Sequence, residues 1–153
     1  MLKVTLPIPT CVPLDLPELV LAAFAEEAGP VAVEGVHDVL GTGQMHLALT
    51  EPYRDRKIQG KVKNLRRFPG KDADQPGILT GNVYEGVDHQ MEPGVGFSVG
   101  LASGAGESEN GDDYGARIEE RTHFLDTGVQ GREAAMKQIL ETVLGRVIAE
   151  AGG

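Results

Sequence analysis

The side chains best suited to catalysis or metal binding in this 153-residue chain are four histidines and one cysteine. They are His37, His46, His89, His123 and Cys11. Helical metal sites place two histidines a few residues apart, and no two of these histidines have that spacing. Asp38 follows His37, but adjacent residues on a helix point in different directions, so this carboxylate does not orient the imidazole. We therefore interpret the histidines as surface residues and Cys11, which has no motif placing a base near it, as inert.

Glycine-containing segments match nucleotide-binding loops only in part. Gly94-Val95-Gly96 and Gly104-Ala105-Gly106 lack the third glycine and the strand-then-helix context of a dinucleotide loop. Gly60-Lys61 and Gly70-Lys71 lack the first glycine of a phosphate-binding loop. The sequence contains neither an HExxH zinc motif nor a GxSxG nucleophile motif. We therefore predict no catalytic, metal-binding or cofactor-binding residue, and a protein that is not an enzyme.

The charged residues are distributed unevenly. The whole chain carries a formal net charge of −9, from 23 acidic and 14 basic residues. Between residues 54 and 71, eight bases stand against the single acid Asp55, so this basic run has a net charge of +7 and leaves −16 for the rest of the chain. The bases of the run are Arg54, Arg56, Lys57, Lys61, Lys63, Arg66, Arg67 and Lys71. We predict that the basic run contacts either an acidic protein surface or DNA phosphates, with simple solvation as the alternative.

Two observations help to rank these alternatives. The strong overall acidity and the scarcity of aromatic residues within the run, Tyr53 and Phe68, argue against a general nucleic-acid binder. A DNA-binding protein acting through residues 54–71 nevertheless stays open as an alternative function. A small-molecule enzyme or binding domain stays open as well, although it would need a pocket that the sequence does not show. The acidic cluster Glu107–Asp113 lacks the DxDxDG…E register of a calcium loop, so we interpret it as a solvated loop.

Composition predicts one loop-rich domain. A chain of 153 residues with 41% hydrophobic residues is long enough to bury one core. With 21 glycines and 9 prolines, the chain is predicted to be rich in turns and to gain stability by packing against copies of itself. A single cysteine excludes an intrachain disulfide, and no apolar run approaches the roughly 20 residues that span a membrane. These features predict a soluble protein that folds in a cytosol.

The first half of the chain is predicted to be an arm, a helical region and a loop. Residues 1–14 contain three prolines and are predicted to be extended. A helix is predicted from Asp15, which can cap it. Because Gly29-Pro30 interrupts the helical pattern, we predict a second helix or a kinked continuation, with a strand at Val31–Val33 as the alternative. Residues 51–77 lack periodicity, contain the basic run and are predicted to be a long loop.

The second half is predicted to contain the sheet. Residues 78–87 are predicted to be a turn, formed around Thr80 and Gly81, that leads into a strand. Strict alternation over Val95–Leu101 predicts a half-buried strand. A flexible acidic loop at 102–113 is predicted next, followed by a third strand at Tyr114–Glu119 that pairs with the preceding one.

The C-terminal segment has the clearest pattern. From residue 131 to residue 151, apolar residues recur at helical spacing and form one stripe. They are Met136, Ile139, Leu140, Val143, Leu144, Val147, Ile148 and Ala151. Oppositely charged residues four apart, such as Glu133 with Lys137 and Arg146 with Glu150, support the polar face. The sequence therefore predicts a single α+β domain with long loops, in which N-terminal helices and a long C-terminal amphipathic helix pack on a small antiparallel sheet.

The order of features in this second half resembles a known family. A turn with the sequence Thr80-Gly81-x-Val83 is followed by a Gly-rich strand ending in Val99-Gly100. After a variable loop come Tyr114–Glu119 and then His123-Phe124-Leu125, which leads to the last helix. In this order the chain resembles the tail-completion, or head–tail joining, family of long-tailed double-stranded DNA phages, whose members are also described as minor tail or neck proteins.

The resemblance implies a structural virion protein of the phage neck. It implies a homo-oligomeric ring, a hexamer by family resemblance, that completes the tail or joins it to the head after assembly in the host cytoplasm. The implied partners are further copies of the chain and other neck and tail-tube proteins, with passage of double-stranded DNA through the ring and no membrane. The family has Glu-Phe-Gly-Thr where this chain has Glu119-Glu120-Arg121-Thr122, and a proline where this chain has His123. These departures leave two sister roles open, tail terminator and head closure.

Overall fold

The structure is a computed structural model that describes residues 16–41, 52, 55–56, 59, 61, 82–107, 111 and 113–152. The elements with defined ends among these residues are five helices and one two-stranded antiparallel sheet. Residues 52, 55 and 56, inside the predicted loop at 51–77, are also helical, so the prediction of a loop was wrong there. In chain order they are α1 (Leu16–Gly41), α2 (Asn82–Glu85), β1 (Val87–Glu92), β2 (Gly96–Leu101), α3 (Tyr114–Thr122), α4 (Phe124–Gln130) and α5 (Glu133–Gly152). The β1–β2 hairpin, α4 and α5 all pack against α1. This arrangement confirms the predicted α+β class.

Helix α1 is one continuous helix through Gly29-Pro30, so the alternative of a strand at Val31–Val33 was wrong. Six of its buried residues recur every four positions, which fits the period of a helix and not that of a strand. They are Val20, Phe24, Ala28, Ala32, Val36 and Leu40. Proline cannot donate the backbone hydrogen bond that the carbonyl four residues earlier would accept, but Pro30 and Glu26 both lie on the exposed side of α1, where water can satisfy that carbonyl. The predicted cap, Asp15, and the predicted arm at 1–14 lie outside the described residues.

Glycines let two other elements approach the backbone of α1 closely. A Cβ at Gly29 would collide with the ring of His89 from β1, and a Cβ at Gly35 would collide with the carbonyl oxygen of Gly128 in α4. At the same crossing, a Cβ at Gly128 would lie 2.6 Å from the backbone nitrogen of Val36. Helices α1 and α4 therefore pack backbone to backbone, which only residues without a side chain permit.

The first strand lies later in the sequence than predicted, and it is this strand that forms the hairpin with β2. Residues 82–85 form the short helix α2 and the first strand begins only at Val87, whereas the predicted turn residues Thr80 and Gly81 lie outside the described residues. The strands pair from Val87 opposite Leu101 to Glu92 opposite Gly96. Strand β2 is buried on both faces, not half-buried, because Ser98 is covered as well as Phe97 and Val99.

The predicted third strand at Tyr114–Glu119 was wrong, since these residues belong to helix α3. The carboxylate of Asp113 caps α3 by accepting a 2.8 Å hydrogen bond from the backbone N–H of Ala116. Tyr114 and Ile118, four residues apart, both pack against the core. A helix places both side chains on one face, so the apolar residues that suggested strand alternation suit a helix equally well. The predicted loop at 102–113 contains turns at 103–106, and Glu107 pairs with Asp113 in an isolated β-bridge.

The predicted C-terminal helix is confirmed as α5, but it begins at Glu133 and a separate helix, α4, precedes it. The predicted apolar stripe is buried at Met136, Val143 and Val147 and half-buried at Ile139, Leu140 and Leu144. Its last two members, Ile148 and Ala151, are exposed. The apolar stripe is therefore exposed to solvent near the C-terminal end of α5.

Ion pairs attach α5 and the turn before it to α1. Arg132 contacts Asp38 at 2.5 Å and lies 3.7 Å from Glu34, and Arg146 contacts Glu27 at 2.5 Å. Arg146 was expected to pair with Glu150 within α5, but its hydrogen bond is to Glu27, and this bond raises the pKa of Arg146. These contacts fix the two helices antiparallel.

Candidate functional site

An open cleft of about 880 Å³ lies between the β1–β2 hairpin, the turn that follows it and helix α3. Its lining includes one histidine, His89, and five carboxylate side chains, but no lysine or arginine among the described residues. The carboxylates are Asp88, Glu107, Asp113, Glu119 and Glu120. We refer to this surface as the acidic cleft. Five carboxylates without a lysine or arginine in the lining give the cleft a strongly negative potential, which attracts cations.

A close contact between Gly106 and Gly115 holds the turn at 103–106 against α3. The N–H of Gly115 donates a 2.9 Å hydrogen bond to the carbonyl of Gly106, and a Cβ at Gly115 would lie 2.6 Å from the Cδ1 of Leu101. Gly106 has a φ of 80°, which is in the left-handed region that favours glycine. Together with the Glu107–Asp113 bridge, this contact places carboxylates from the turn and from α3 on the same cleft.

Glu119 joins the cleft to the last helices. Its Oε2 accepts a 2.9 Å hydrogen bond from the backbone N–H of Leu125, one of the free donors at the start of α4. Its Oε1 is buried and has no hydrogen-bond partner among the described residues. A buried carboxylate oxygen without a donor is costly, so Glu119 has an unused acceptor beside the cleft.

Among the described residues that line the cleft, no serine or cysteine is hydrogen-bonded to a histidine. The hydroxyl of Ser98 donates to the carboxylate of Glu92 at 3.0 Å, and His89 lies edge-on to the ring of Phe97. The Nδ1 of His89 is 3.7 Å from the Oδ1 of Asp88, beyond hydrogen-bonding distance. Within the described part of the chain, no three His, Cys, Asp or Glu side chains are grouped so that they could hold a metal ion. What the cleft offers is an array of negative charge.

The histidines are less exposed than predicted. His37 stacks on Tyr84 with ring centroids 4.2 Å apart, and its Nε2 donates a 2.8 Å hydrogen bond to the carbonyl of Tyr84. His89 is half-buried against Gly29 and Phe97, so the surface interpretation was wrong for both residues. His123 is exposed, as predicted, and His46 lies outside the described residues.

The structure describes only two members of the predicted basic run, Arg56 and Lys61, and both are exposed. Two backbone hydrogen bonds form a local turn there, from Gln59 to Asp55 at 2.9 Å and from Lys61 to Arg56 at 2.8 Å. The other predicted contact residues lie outside the described part of the chain. They are Arg54, Lys57, Lys63, Arg66, Arg67 and Lys71.

Four of the residues that carried the family resemblance lie in the core. Val83, Val99, Phe124 and Leu125 are all at most 2% exposed and belong to the main core. Gly115, from the Tyr114–Glu119 segment, makes the glycine contact described above, and Glu119 caps α4. These residues therefore connect the hairpin, the cleft and the C-terminal helices.

Sequence reasoning did not predict the acidic cleft. The acidic cluster Glu107–Asp113 was interpreted as a solvated loop. No role was predicted for Asp88, Glu119 or Glu120. A local signal existed, since carboxylates are dense from Glu107 to Glu120. Their convergence with Asp88 depends on the packing of α3 against the hairpin turn, which no local pattern specifies.

Within the described residues, no helix is both long and apolar enough to cross a membrane. Comparisons with protein-family models, with curated proteins and with solved structures gave no match to this chain.

Proposed function

We propose that this protein is a non-catalytic structural subunit of a phage neck, where copies of the chain form a ring that completes the tail or joins it to the head. The observation that carries the proposal is the separation of charge on one chain. An acidic cleft lies between the β1–β2 hairpin and α3, and a basic run with a net charge of +7 lies at residues 54–71. Two complementary surfaces on one subunit suit a head-to-tail interface, and head-to-tail interfaces generate a ring when the rotation between successive subunits closes.

The family resemblance supports the same proposal through the fold. Its residues determine structure: Val83 and Val99 are in the core, and Phe124 and Leu125 begin helix α4. A subunit of a ring needs a rigid fold and complementary surfaces more than it needs a catalytic pocket. The proposed partners are further copies of the chain and the adjoining neck and tail-tube proteins, with the virion as the proposed location. Tail terminator and head closure are sister roles within this proposal.

The experiment that tests the function is the mass of the purified full-length protein in solution, at low and at physiological salt, with and without double-stranded DNA. We expect a discrete oligomer that electron microscopy shows as a closed ring, and we expect it to form without DNA. Light scattering across a concentration series gives the subunit number. A protein that stays monomeric under all these conditions would contradict the proposal.

Binding of DNA by the basic run is the alternative function, and the same measurements address it. A protein that is monomeric alone, but binds DNA with an affinity that falls steeply with salt, would be a DNA-binding protein. A ring that merely lets DNA pass through it needs no such affinity. The two functions therefore predict different results with the same samples.

A further inference from the structure

Strand β1 forms one edge of the two-stranded sheet, and its outer side pairs with no other strand among the described residues. The two strands differ in exposure. Every residue of β2 is buried except Leu101, which is half-buried, whereas Asp88, Gln90 and Met91 of β1 are exposed. An exposed strand edge presents backbone donors and acceptors to which a strand of another chain can add. The outer side of β1 is therefore a surface suited to strand addition.

The backbone groups that β1 presents at this edge follow from its pairing with β2. The N–H of Ala102 donates a 2.7 Å hydrogen bond to the carbonyl of Gly86, so the polar groups of Gly86 point towards β2. Because these directions alternate along an antiparallel strand, the polar groups of Val87, His89 and Met91 point outward. Three N–H groups and three carbonyls thus lie along the outer side of β1.

Met91 is the apolar side chain that a further strand would cover. Alternation along β1 places Met91 on the same face as Val87 and His89. That face packs on α1, since the ring of His89 lies against Gly29 and Val87 is buried in the core. Met91 is nevertheless 54% exposed. A strand added beside β1 would bury part of this side chain, which favours the addition.

We propose that β1 pairs antiparallel with β1 of a second copy of this chain, with His89 opposite the partner's His89. In this register the outward backbone groups of the two strands meet each other, as antiparallel pairing requires. On the face towards α1, apolar Val87 lies opposite the partner's apolar Met91. On the other face, the carboxylate of Asp88 lies opposite the amide of the partner's Gln90, which can donate to it.

The charges of β1 select this register. Two neighbouring registers also align the outward backbone groups, but one places Asp88 opposite the partner's Asp88 and the other places it opposite the partner's Glu92. Like charges directly opposite each other are destabilising, and the register centred on His89 has none. The N–H of His89 donates to the Oδ1 of Asp88 at 2.8 Å in the single chain. In the pair this N–H donates to the partner's backbone carbonyl, so the carboxylate can accept from the partner's Gln90.

This contact goes beyond the proposed ring and does not depend on it. Each copy uses the same strand, so the contact is two-fold symmetric and joins chains in pairs. A head-to-tail ring uses two different surfaces of each subunit. The two kinds of contact therefore respond to different substitutions.

Disulfide formation tests the register. Cys11 is the single cysteine of the chain, so Asp88→Cys and Gln90→Cys are made as separate variants, each combined with Cys11→Ser. In the proposed register, residues 88 and 90 of the two copies have Cα atoms about 4.5 Å apart, a distance that a disulfide can bridge. We expect a mixture of the two variants to form a linked dimer with oxidised glutathione. Each variant alone should stay mostly unlinked, because residues on the diagonal are about 7–8 Å apart.

Charge at position 90 tests the pairing without a crosslink. Gln90→Glu places a carboxylate opposite the partner's Asp88 twice in each pair, so we expect dimerisation about tenfold weaker than that of the wild type. Gln138→Glu is the matched control, since it makes the same change at an exposed position of α5 and should dimerise as the wild type does. Asp88→Asn combined with Gln90→Glu should restore dimerisation, because the amide and the carboxylate exchange places. Sedimentation measures dimerisation, and thermal melting confirms that each variant is folded.

The outcomes separate this contact from the ring. Equal dimerisation of Gln90→Glu and the wild type would overturn the proposal, as would Asp88→Cys alone linking as readily as the mixture. A wild type that stays monomeric at this edge while it binds an extended peptide from another protein would also overturn it. Closed rings that persist in Gln90→Glu, together with loss of the crosslinked pair, would support two independent contacts.

Discussion

His123 occupies the sharp turn between α3 and α4 with a φ of 50°, in the left-handed region of the backbone. Its N–H donates to the carbonyl of Glu119 at 2.7 Å, and its own carbonyl accepts from Thr127 at 2.8 Å. One residue thus ends one helix and starts the next. Any residue with a Cβ is destabilised in this conformation, because the Cβ lies too close to the following carbonyl oxygen.

Replacing His123 with glycine is expected to stabilise the protein by about 0.5–1 kcal/mol, since glycine adopts the left-handed conformation without that clash and is the preferred residue at such helix ends. Urea denaturation of the His123→Gly variant measures the gain. His123→Ala is the matched control, because it removes the exposed imidazole and retains the Cβ, and it should gain nothing. A glycine variant less stable than the wild type would mean that the imidazole itself stabilises the turn.

Single residues also mark the limit of what the sequence predicts. The glycines at 29, 35 and 128 have no local signal that says which element approaches them, and the structure shows contacts to His89 and between α1 and α4. The histidines were interpreted by spacing alone, whereas the position of His37 is set by stacking on Tyr84, 47 residues away. Contacts of this kind depend on the tertiary fold, so no window of neighbouring residues contains them.

At the scale of elements, a helix or strand could be predicted correctly only where the pattern of apolar residues fits one type of secondary structure and not the other. The C-terminal segment repeats its apolar residues over about five turns, a period that only a helix satisfies, and α5 was confirmed. Tyr114–Glu119 is too short for the period to decide, because residues 114, 116 and 118 alternate while 114 and 118 also suit a helix. The cap at Asp113 and the glycine contact at Gly115 decide in favour of the helix.

The crossing of α1 and α4 predicts a large effect from a small substitution. Gly128→Ala places a methyl group 2.5 Å from the Cα and 2.6 Å from the nitrogen of Val36, so the helices must move apart. We expect a loss of about 1–3 kcal/mol in the free energy of unfolding, the usual cost of overpacking. Gly131→Ala is the matched control, since its new methyl group would be 3.5 Å from its nearest neighbours. Equal denaturation midpoints for the two variants would contradict the close crossing.

The packing of α5 predicts which substitutions disrupt the core. Val143 is completely buried between α5 and α1, so Val143→Asp buries a charge and should cost several kcal/mol and unfold the domain. Leu140 and Leu144 are half-buried, and an aspartate there reaches water, so we expect smaller losses. Exposed Glu141 serves as the control, and Glu141→Ala should change stability by less than about 0.5 kcal/mol. Thermal melts that rank Glu141→Ala with Val143→Asp would show that the helix faces are assigned incorrectly.

At the scale of the whole molecule, the charge distribution leads us to expect that folding and the proposed association depend on different residues. The basic run carries eight of the 14 lysines and arginines of the chain, and lysine and arginine side chains are mostly exposed in folded proteins. We therefore expect Arg66→Ser combined with Arg67→Ser to leave the melting temperature of the monomer nearly unchanged and to weaken formation of the proposed ring. Added salt should weaken wild-type association as well, because it screens exposed charges. Light scattering of both proteins across a salt series measures this, and a double variant that assembles normally at physiological salt would make the run a solvated surface.

Because α1 contacts the hairpin, α4 and α5, its apolar face cannot be buried until these later elements have been synthesised. Helix α1 is synthesised before the elements that pack against it. Its ion pairs with the C-terminal region join residues that are separated by 94 and by 119 positions in the sequence. Contacts of such long range form slowly, because the intervening chain must be closed into a loop first. The apolar face of α1 therefore stays uncovered until most of the chain has been synthesised. A truncated chain that ends before α5 leaves part of that face exposed and is expected to aggregate.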